Sequence, residues 1–202
     1  MPSYSVSDII ASPAAILYAA SGASLPDETS VAYNAYSSWT GWTLLGYTAE
    51  PATVTMERET EQLTVEQVLA AVREIVTAEA LSIKTKLVQF DGALLAILLG
   101  GANANTNAGA AQKAFSEVTF GGNPQLTEYQ FAIEGYRVDS AGTKQPVRVF
   151  VHKGIIKAAG DIAFDKAAMV GVPIEIHALA NTSLSDGANL GKIHIVTAPA
   201  SS

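Results

Sequence analysis

The sequence predicts a mainly β protein, a sandwich or barrel that carries one short helix. Three observations predict it. From Phe115 onward, short alternating segments recur at regular spacing, separated by turn residues such as Asp139-Ser140-Ala141-Gly142 and Ser185-Asp186-Gly187. Upstream, Val54–Gln62 and Leu81–Phe90 alternate with the two-residue period of strands. Between these regions sits a single short apolar run, Asp91–Leu99, bounded by helix start and stop signals.

Taken in order, Met1–Ser24 is apolar and rich in Ala and Ser, with Ile16–Ala19 a candidate first strand. Ile9–Ala20 faintly mimics a secretory leader. It lacks a basic start and is interrupted by Pro13, so it reads as mature chain. Gly22–Asp27 is a turn, and Trp42–Gly46 reads as a short strand. Trp39 and Trp42 have the chemistry of a sugar or base platform. Packing in a core or interface is the simpler reading for aromatic rings beside Gly41.

In Val54–Gln62, Val54, Met56 and Arg58 share one face, whereas Thr55, Glu57, Glu59 and Glu61 share the other. Paired carboxylates can work as general acid and base. No other catalytic group accompanies these, so an acidic strand face is the expectation. Thr64–Glu79 carries two signals. Val65, Val68, Leu69, Val72, Ile75 and Val76 have helical spacing and Thr64-x-x-Gln67 resembles a capping box, yet the β-branched residues of Val72–Thr77 favour a strand.

Asp91 supplies an N-cap for the helix and Gly100-Gly101 a stop. The helix is apolar on nearly every side, so its own sheet and a second surface must cover Leu94, Leu95, Ile97 and Leu98. Gly100–Gly109 reads as a flexible loop that orders on assembly. It lacks the Gly-Lys-Ser/Thr ending of a phosphate loop. Candidate strands then follow at Glu117–Phe120, Gln130–Val138, Val147–His152, Ile155–Phe164, Val172–Ala180 and Lys192–Thr197, arranged as a meander. Nothing marks a linker, so residues 1–202 are expected to form a single domain.

Composition narrows the function. Of 202 residues only 15% are charged, with a net charge of −7. An ordinary soluble surface is about a quarter charged or more, so much of this surface is expected to meet protein. The acidic balance excludes a basic nucleic-acid footprint. The absence of cysteine excludes disulfides and thiolate metal sites. No apolar run reaches the roughly 20 residues of a membrane span. His152, His177 and His194 would be the ligands of a three-histidine zinc site in a β-sandwich, but no carboxylate sits at a spacing suited to orient their imidazoles. No serine elbow is present. The cluster Arg148, His152, Lys153 and Lys157 reads as solvated surface. No enzyme activity and no cofactor are expected.

Three blocks together resemble the major tail tube protein of long-tailed, siphovirus-like bacteriophages. The first is Gly22-Ala-Ser-Leu-Pro-Asp-Glu-Thr followed by Trp42-Thr-Leu-Leu-Gly-Tyr-Thr-Ala-Glu. The second is Thr53–Leu99, with its acidic Glu-Thr-Glu. The third runs from Val147-Arg-Val-Phe-Val-His-Lys-Gly through Val172-Pro-Ile-Glu-Ile-His to Lys192-Ile-His-Ile-Val. The resemblance implies a two-sheet β-sandwich or partly closed barrel with one short flanking helix and a long inter-strand loop. It implies hexameric rings stacked into a hollow tube that conducts double-stranded DNA without specific binding. The loop would reach a neighbouring subunit through Val65, Val68, Leu69, Val72 and Ile75. The helix would present Leu94, Leu95, Ile97 and Leu98 at an interface, and Glu57, Glu59 and Glu61 would face the lumen. Implied partners are further copies of the chain and the tape measure, terminator and distal tail proteins, in a virion tail assembled in the host cytoplasm. A tail terminator, a head decoration protein, a secretion-tube subunit and a metal-dependent β-sandwich hydrolase are the competing readings.

Overall fold

A computed structural model describes residues 10, 12–89, 91–111, 113–123, 125–139, 141–162 and 169–197. The sequence-predicted termini at Phe90 and Phe164, Ser140 in its turn and the tail from Pro199 lie outside the described residues.

The fold is mainly β, and the described residues form two sheets and one α-helix with no closed barrel among them, as the sequence predicts. The strands are β1 (Ala15–Ala20), β2 (Trp42–Leu44), β3 (Thr53–Val65), β4 (Val68–Leu87), β5 (Ala102–Thr106), β6 (Phe115–Thr119), β7 (Tyr129–Val138), β8 (Lys144–Ala158), β9 (Val172–Ala178) and β10 (Gly191–Ile195). The helix, α1, spans Gly92–Leu99. The large sheet runs β2-β1-β7-β8-β9-β4-β3, with β10 added on β8, and β5 and β6 form a separate pair. All pairings are antiparallel.

Strand β8 is the pivot. The sequence suggests two strands there, Val147–His152 and Ile155–Phe164, but the structure has one long strand. Its first half pairs with β10 through Val147–Val151, and its second half pairs with β9 through Gly154–Ala158. The change of partner falls at a register shift. Phe131 pairs with Val151 but Tyr129 pairs with Gly154, so β8 has one extra residue at His152-Lys153. Such a bulge bends a strand and moves its side chains to the other face. Gly154 follows directly, because a Cβ there would lie 2.8 Å from the carbonyl oxygen of His177. The simple meander expected from the sequence therefore fails at β10, which returns to β8 instead of extending the sheet.

Both faces of the sheet are covered over β1, β7 and the first half of β8. One face carries Ile16, Ile83, Leu87, Phe131, Ile133, Val151, Ile156, Ile174 and Ile176, and α1 packs Leu94 and Leu98 against it. We call this the helix face. The opposite face carries Leu17, Ala19, Ala132 and Phe150 under Trp39 and Trp42. The two tryptophans meet edge to face with ring centroids 5.6 Å apart, so both are core residues and not a ligand platform. The indole N–H of Trp42 donates to the Ser24 carbonyl at 2.9 Å, which satisfies its polar tip.

The helix ends as its sequence dictates. The Asp91 side chain accepts from the Ala93 N–H, and Gly100 adopts φ 64°, where its N–H reaches the Ala96 and Ile97 carbonyls. Two loop expectations fail. Ala102–Thr106, inside the glycine- and asparagine-rich stretch, is a strand paired with Phe115–Thr119. Thr64–Glu79 is neither helix nor loop: it forms the tip of β3 and most of β4. Its helical spacing arises because apolar residues occupy both faces of a ribbon, which hides the two-residue period.

Candidate assembly surfaces

The β3–β4 hairpin projects from the body as an arm. Near its base, Val54 pairs with Ile83 and Met56 with Leu81. Further out, the pairs are Arg58 with Glu79, Glu59 with Ala78, Thr60 with Val76 and Glu61 with Ile75, with a bulge between Glu59 and Thr60. From Met56 to Ala80 every residue except Ile75 is exposed. About ten residues per strand at about 3.3 Å each give an arm of roughly 30 Å. A two-stranded ribbon of that length is at best marginal in water on its own.

The arm has two unlike faces. Val54, Met56 and Leu81 continue the helix face outward, followed by the Arg58–Glu79 ion pair at 2.7 Å. Glu57, Glu59 and Glu61 lie together on the other face, beside Ala80, Ala78 and Ile75. Among the described residues none of these three glutamates has an ion-pair partner. Towards the tip, Leu63, Val65, Val68, Leu69, Val72 and Val76 are exposed apolar side chains. The residues Val65, Val68, Leu69, Val72 and Ile75 thus all lie on the arm, with only Ile75 partly covered.

The helix surface is more enclosed than its composition suggests. Leu94, Ala96 and Leu98 are buried, while Leu95 and Ile97 are half-buried and pack at the margin of the core. Phe115, Phe120 and Leu126 remain exposed in and after β6.

One polar cluster has no counterpart in the sequence reading. Arg148, read there as solvated, is fully buried. Its Nε donates to Glu134 Oε1 at 3.0 Å and its Nη2 to the same oxygen at 2.8 Å. Nη1 pairs with Glu28, and Nη2 also reaches the Val31 carbonyl at 2.9 Å. The guanidinium carbon lies 5.0 Å from the centre of the Trp39 ring. Glu134, also fully buried, accepts from the Asn34 N–H at 3.0 Å, and Glu28 meets His194 Nδ1 at 2.7 Å. Burial and the adjacent Glu134 carboxylate hold the Tyr36 phenol far above its usual range. These bonds tie loop Glu28–Tyr36 across β7, β8 and β10. A signal was present in Val147–Val151: one arginine inside an otherwise apolar run marks a strand buried on both faces, where a charge needs a partner.

The three histidines do not converge on a metal site. His152 and His194 lie near one another, but His177 pairs with Ile155 and Ser82 on the other branch of the sheet. Among the described residues no group of histidine and carboxylate side chains is placed to hold a metal. Burial and the nearby Lys192 lower the His152 pKa.

The family model for phage tail tube proteins matches residues 3–192. The chain belongs to the phage tail tube protein family. This tail tube protein is a structural component of the virion tail that self-assembles into a tube. Its fold overlaps loosely with a crystal structure of an Hcp protein, at TM-score 0.36 and 13% identity over 92% of this chain and 100% of that one. No curated protein matches it. Among the described residues of the tail tube protein, no helix is long and apolar enough to cross a membrane.

Proposed function

We propose that the chain folds as one domain, forms hexameric rings, and stacks them into the hollow tube through which double-stranded DNA leaves the virion. The observation that carries this reading is the arm. It exposes apolar side chains on a ribbon that its own chain does not cover, and burying each large one on a neighbour contributes about 1.5–3 kcal/mol. Val65, Val68, Leu69, Val72 and Ile75 dock on the adjacent subunit. Leu95 and Ile97, the half-covered helix residues, form the margin of a second contact, whereas Leu94 and Leu98 beneath them serve the subunit's own core. Glu57, Glu59 and Glu61 face the lumen, where like charge keeps phosphates from sticking and DNA passes without specific contacts. The role is structural and needs neither catalysis nor a cofactor. The tape measure, terminator and distal tail proteins bind the tube at its core and ends, and assembly takes place in the host cytoplasm.

Negative-stain electron microscopy of the purified protein over a range of concentrations tests the proposal. Hollow tubes with six-fold end views support it. Single closed rings that never stack would favour a terminator, and compact monomers at every concentration would refute the tube.

A further inference from the structure

Strand β10 is held to the body by its ladder and by polar contacts. It pairs with β8 alone, through Gly191–Ile195, and among the described residues its outer edge has no partner strand. Its large apolar residues anchor little, since Ile193 and Ile195 are 63% and 51% exposed. His194 Nδ1 meets Glu28 Oε1 at 2.7 Å, and the Val196 carbonyl just beyond the strand accepts from Arg137 Nε at 3.1 Å. An open cleft lies between the strand and Thr29–Tyr33.

Where β10 begins, basic side chains gather. Lys192 pairs with Phe150 and His194 with Arg148, so both lie on the face under Trp39 and Trp42. The His194 ring meets Phe150 edge to face at 5.2 Å. His152 lies two residues beyond Phe150, half-buried, at the bulge where β8 changes partner, and its N–H donates to the Leu190 carbonyl at 3.1 Å. It therefore sits at the joint of β10 with β8, within the field of Lys192 and His194. The surrounding elements do not offset a charge there. On β7, the uncharged Gln130 lies opposite the bulge, and Glu134 is bound to Arg148. On the loop, Glu28 is bound to both Arg148 and His194. On β8, Lys153 is paired with Glu128 at 2.9 Å. On β9, Glu175 and His177 lie beside each other, further along β8.

We propose that β10 is an acid-released clasp: a proton on His152 sets a positive charge beside Lys192 and His194, and β10 then leaves β8 while β7, β8 and β9 stay paired. Burial and Lys192 hold the His152 pKa below 6.5, and departure of β10 relieves both. The open form therefore binds the proton more tightly than the closed one. The balance shifts towards it as pH falls below 6.5. Opening costs the five-pair ladder and little core, because the isoleucines of β10 are already largely in water. Glu28 is the brake, since its carboxylate holds a charged His194 more strongly than a neutral one. Release uncovers the outer edge of Val147–Val151 on β8 and takes one partner from Glu28, at the end of the loop that covers the tryptophans. The device works within one subunit and does not depend on the tube.

Hydrogen exchange of the dispersed full-length chain at about pH 7 and about pH 5.5 tests the clasp. Each amide is compared with an unfolded reference at the same pH, which cancels the intrinsic pH dependence of exchange. Amides of Gly191–Ile195 are expected to lose protection at least about threefold at the lower pH, whereas those pairing β7 with β8 and β8 with β9 keep theirs. His152→Gln should abolish the selective loss. Lys192→Gln, which leaves the histidine in place and removes the neighbouring charge, should reduce it. Protection of β10 that does not change with pH would overturn the proposal. So would a loss that persists in full in His152→Gln, or one shared equally by all strands of the body.

Discussion

Two long hairpins of the same sheet differ in almost everything except geometry. From Gln130 to Arg137 in β7 and from Gln145 to Ile156 in β8 every side chain is buried or half-buried, because the helix covers one face and the tryptophan loop the other. In the outer part of β3–β4 nearly every side chain is exposed, with apolar residues on both sides of the ribbon. Burial on two faces makes β7–β8 self-sufficient. The arm has the backbone pairing of a sheet without the cover that makes sheets stable, so its stability must come from outside its own chain. The comparison separates residues that hold the subunit together from residues that hold subunits to each other.

The most damaging change to the body is expected at Arg148. Arg148→Ala leaves Glu134 buried and unpaired, at a cost of about 3–5 kcal/mol. Denaturant unfolding of dispersed protein should show a large loss of midpoint. A loss below about 1 kcal/mol would mean that the cluster is not what ties loop Glu28–Tyr36 down. Next comes the helix: Leu98→Ala opens a cavity under α1 and should cost about 2–5 kcal/mol by the same measurement. The arm should behave in the opposite way. Leu69→Ser with Val72→Ser should leave unfolding of the dispersed subunit within about 0.5 kcal/mol of wild type. The same variant should raise the concentration needed for assembly at least about tenfold, the equivalent of about 1.4 kcal/mol. Equal losses in both measurements would erase the distinction between arm and body.

Acidity should act on the body and more gently. Burial and Lys192 hold the His152 pKa below 6.5, its ordinary value. As pH falls through 6.5 the unfolded chain takes up this proton before the folded one does, so His152 lowers stability from there down to its folded pKa. Urea midpoints between pH 7 and 5 should therefore decline, and His152→Gln should flatten that decline. Smallest of all is the exposed Arg58–Glu79 pair on the arm. Breaking it with Arg58→Ala should change subunit stability by less than about 1 kcal/mol.

The same contrast explains what the sequence made legible. The helix was readable because its signals are local: an aspartate that caps it, an apolar run and a glycine with left-handed backbone to end it. Strands half-covered by the body, such as Leu81–Leu87, were readable because one face is wetter than the other. The arm tip was not, since with apolar residues on both faces Val65, Val68, Leu69, Val72 and Ile75 fit a helical period as well as a strand. Its partner strand decides the matter, through cross-strand pairs such as Glu61 with Ile75 that the periodicity of one strand does not reveal. Arg148 was misread for a related reason. Its grouping with His152, Lys153 and Lys157 suggested a solvated basic surface, yet its partners Glu28 and Glu134 come from other strands and loops. The branching of β10 from β8 depends on a bulge at His152-Lys153, which side-chain chemistry does not announce.

Hydrogen exchange compared between dispersed and assembled protein tests the division between arm and body most directly. Amides of β7 and β8 should be protected in both states, whereas those of Glu57–Ala80 should exchange fast in the dispersed subunit and become strongly protected on assembly. An arm that exchanges equally fast in both states would contradict the account, because its apolar faces would then remain uncovered in the tube.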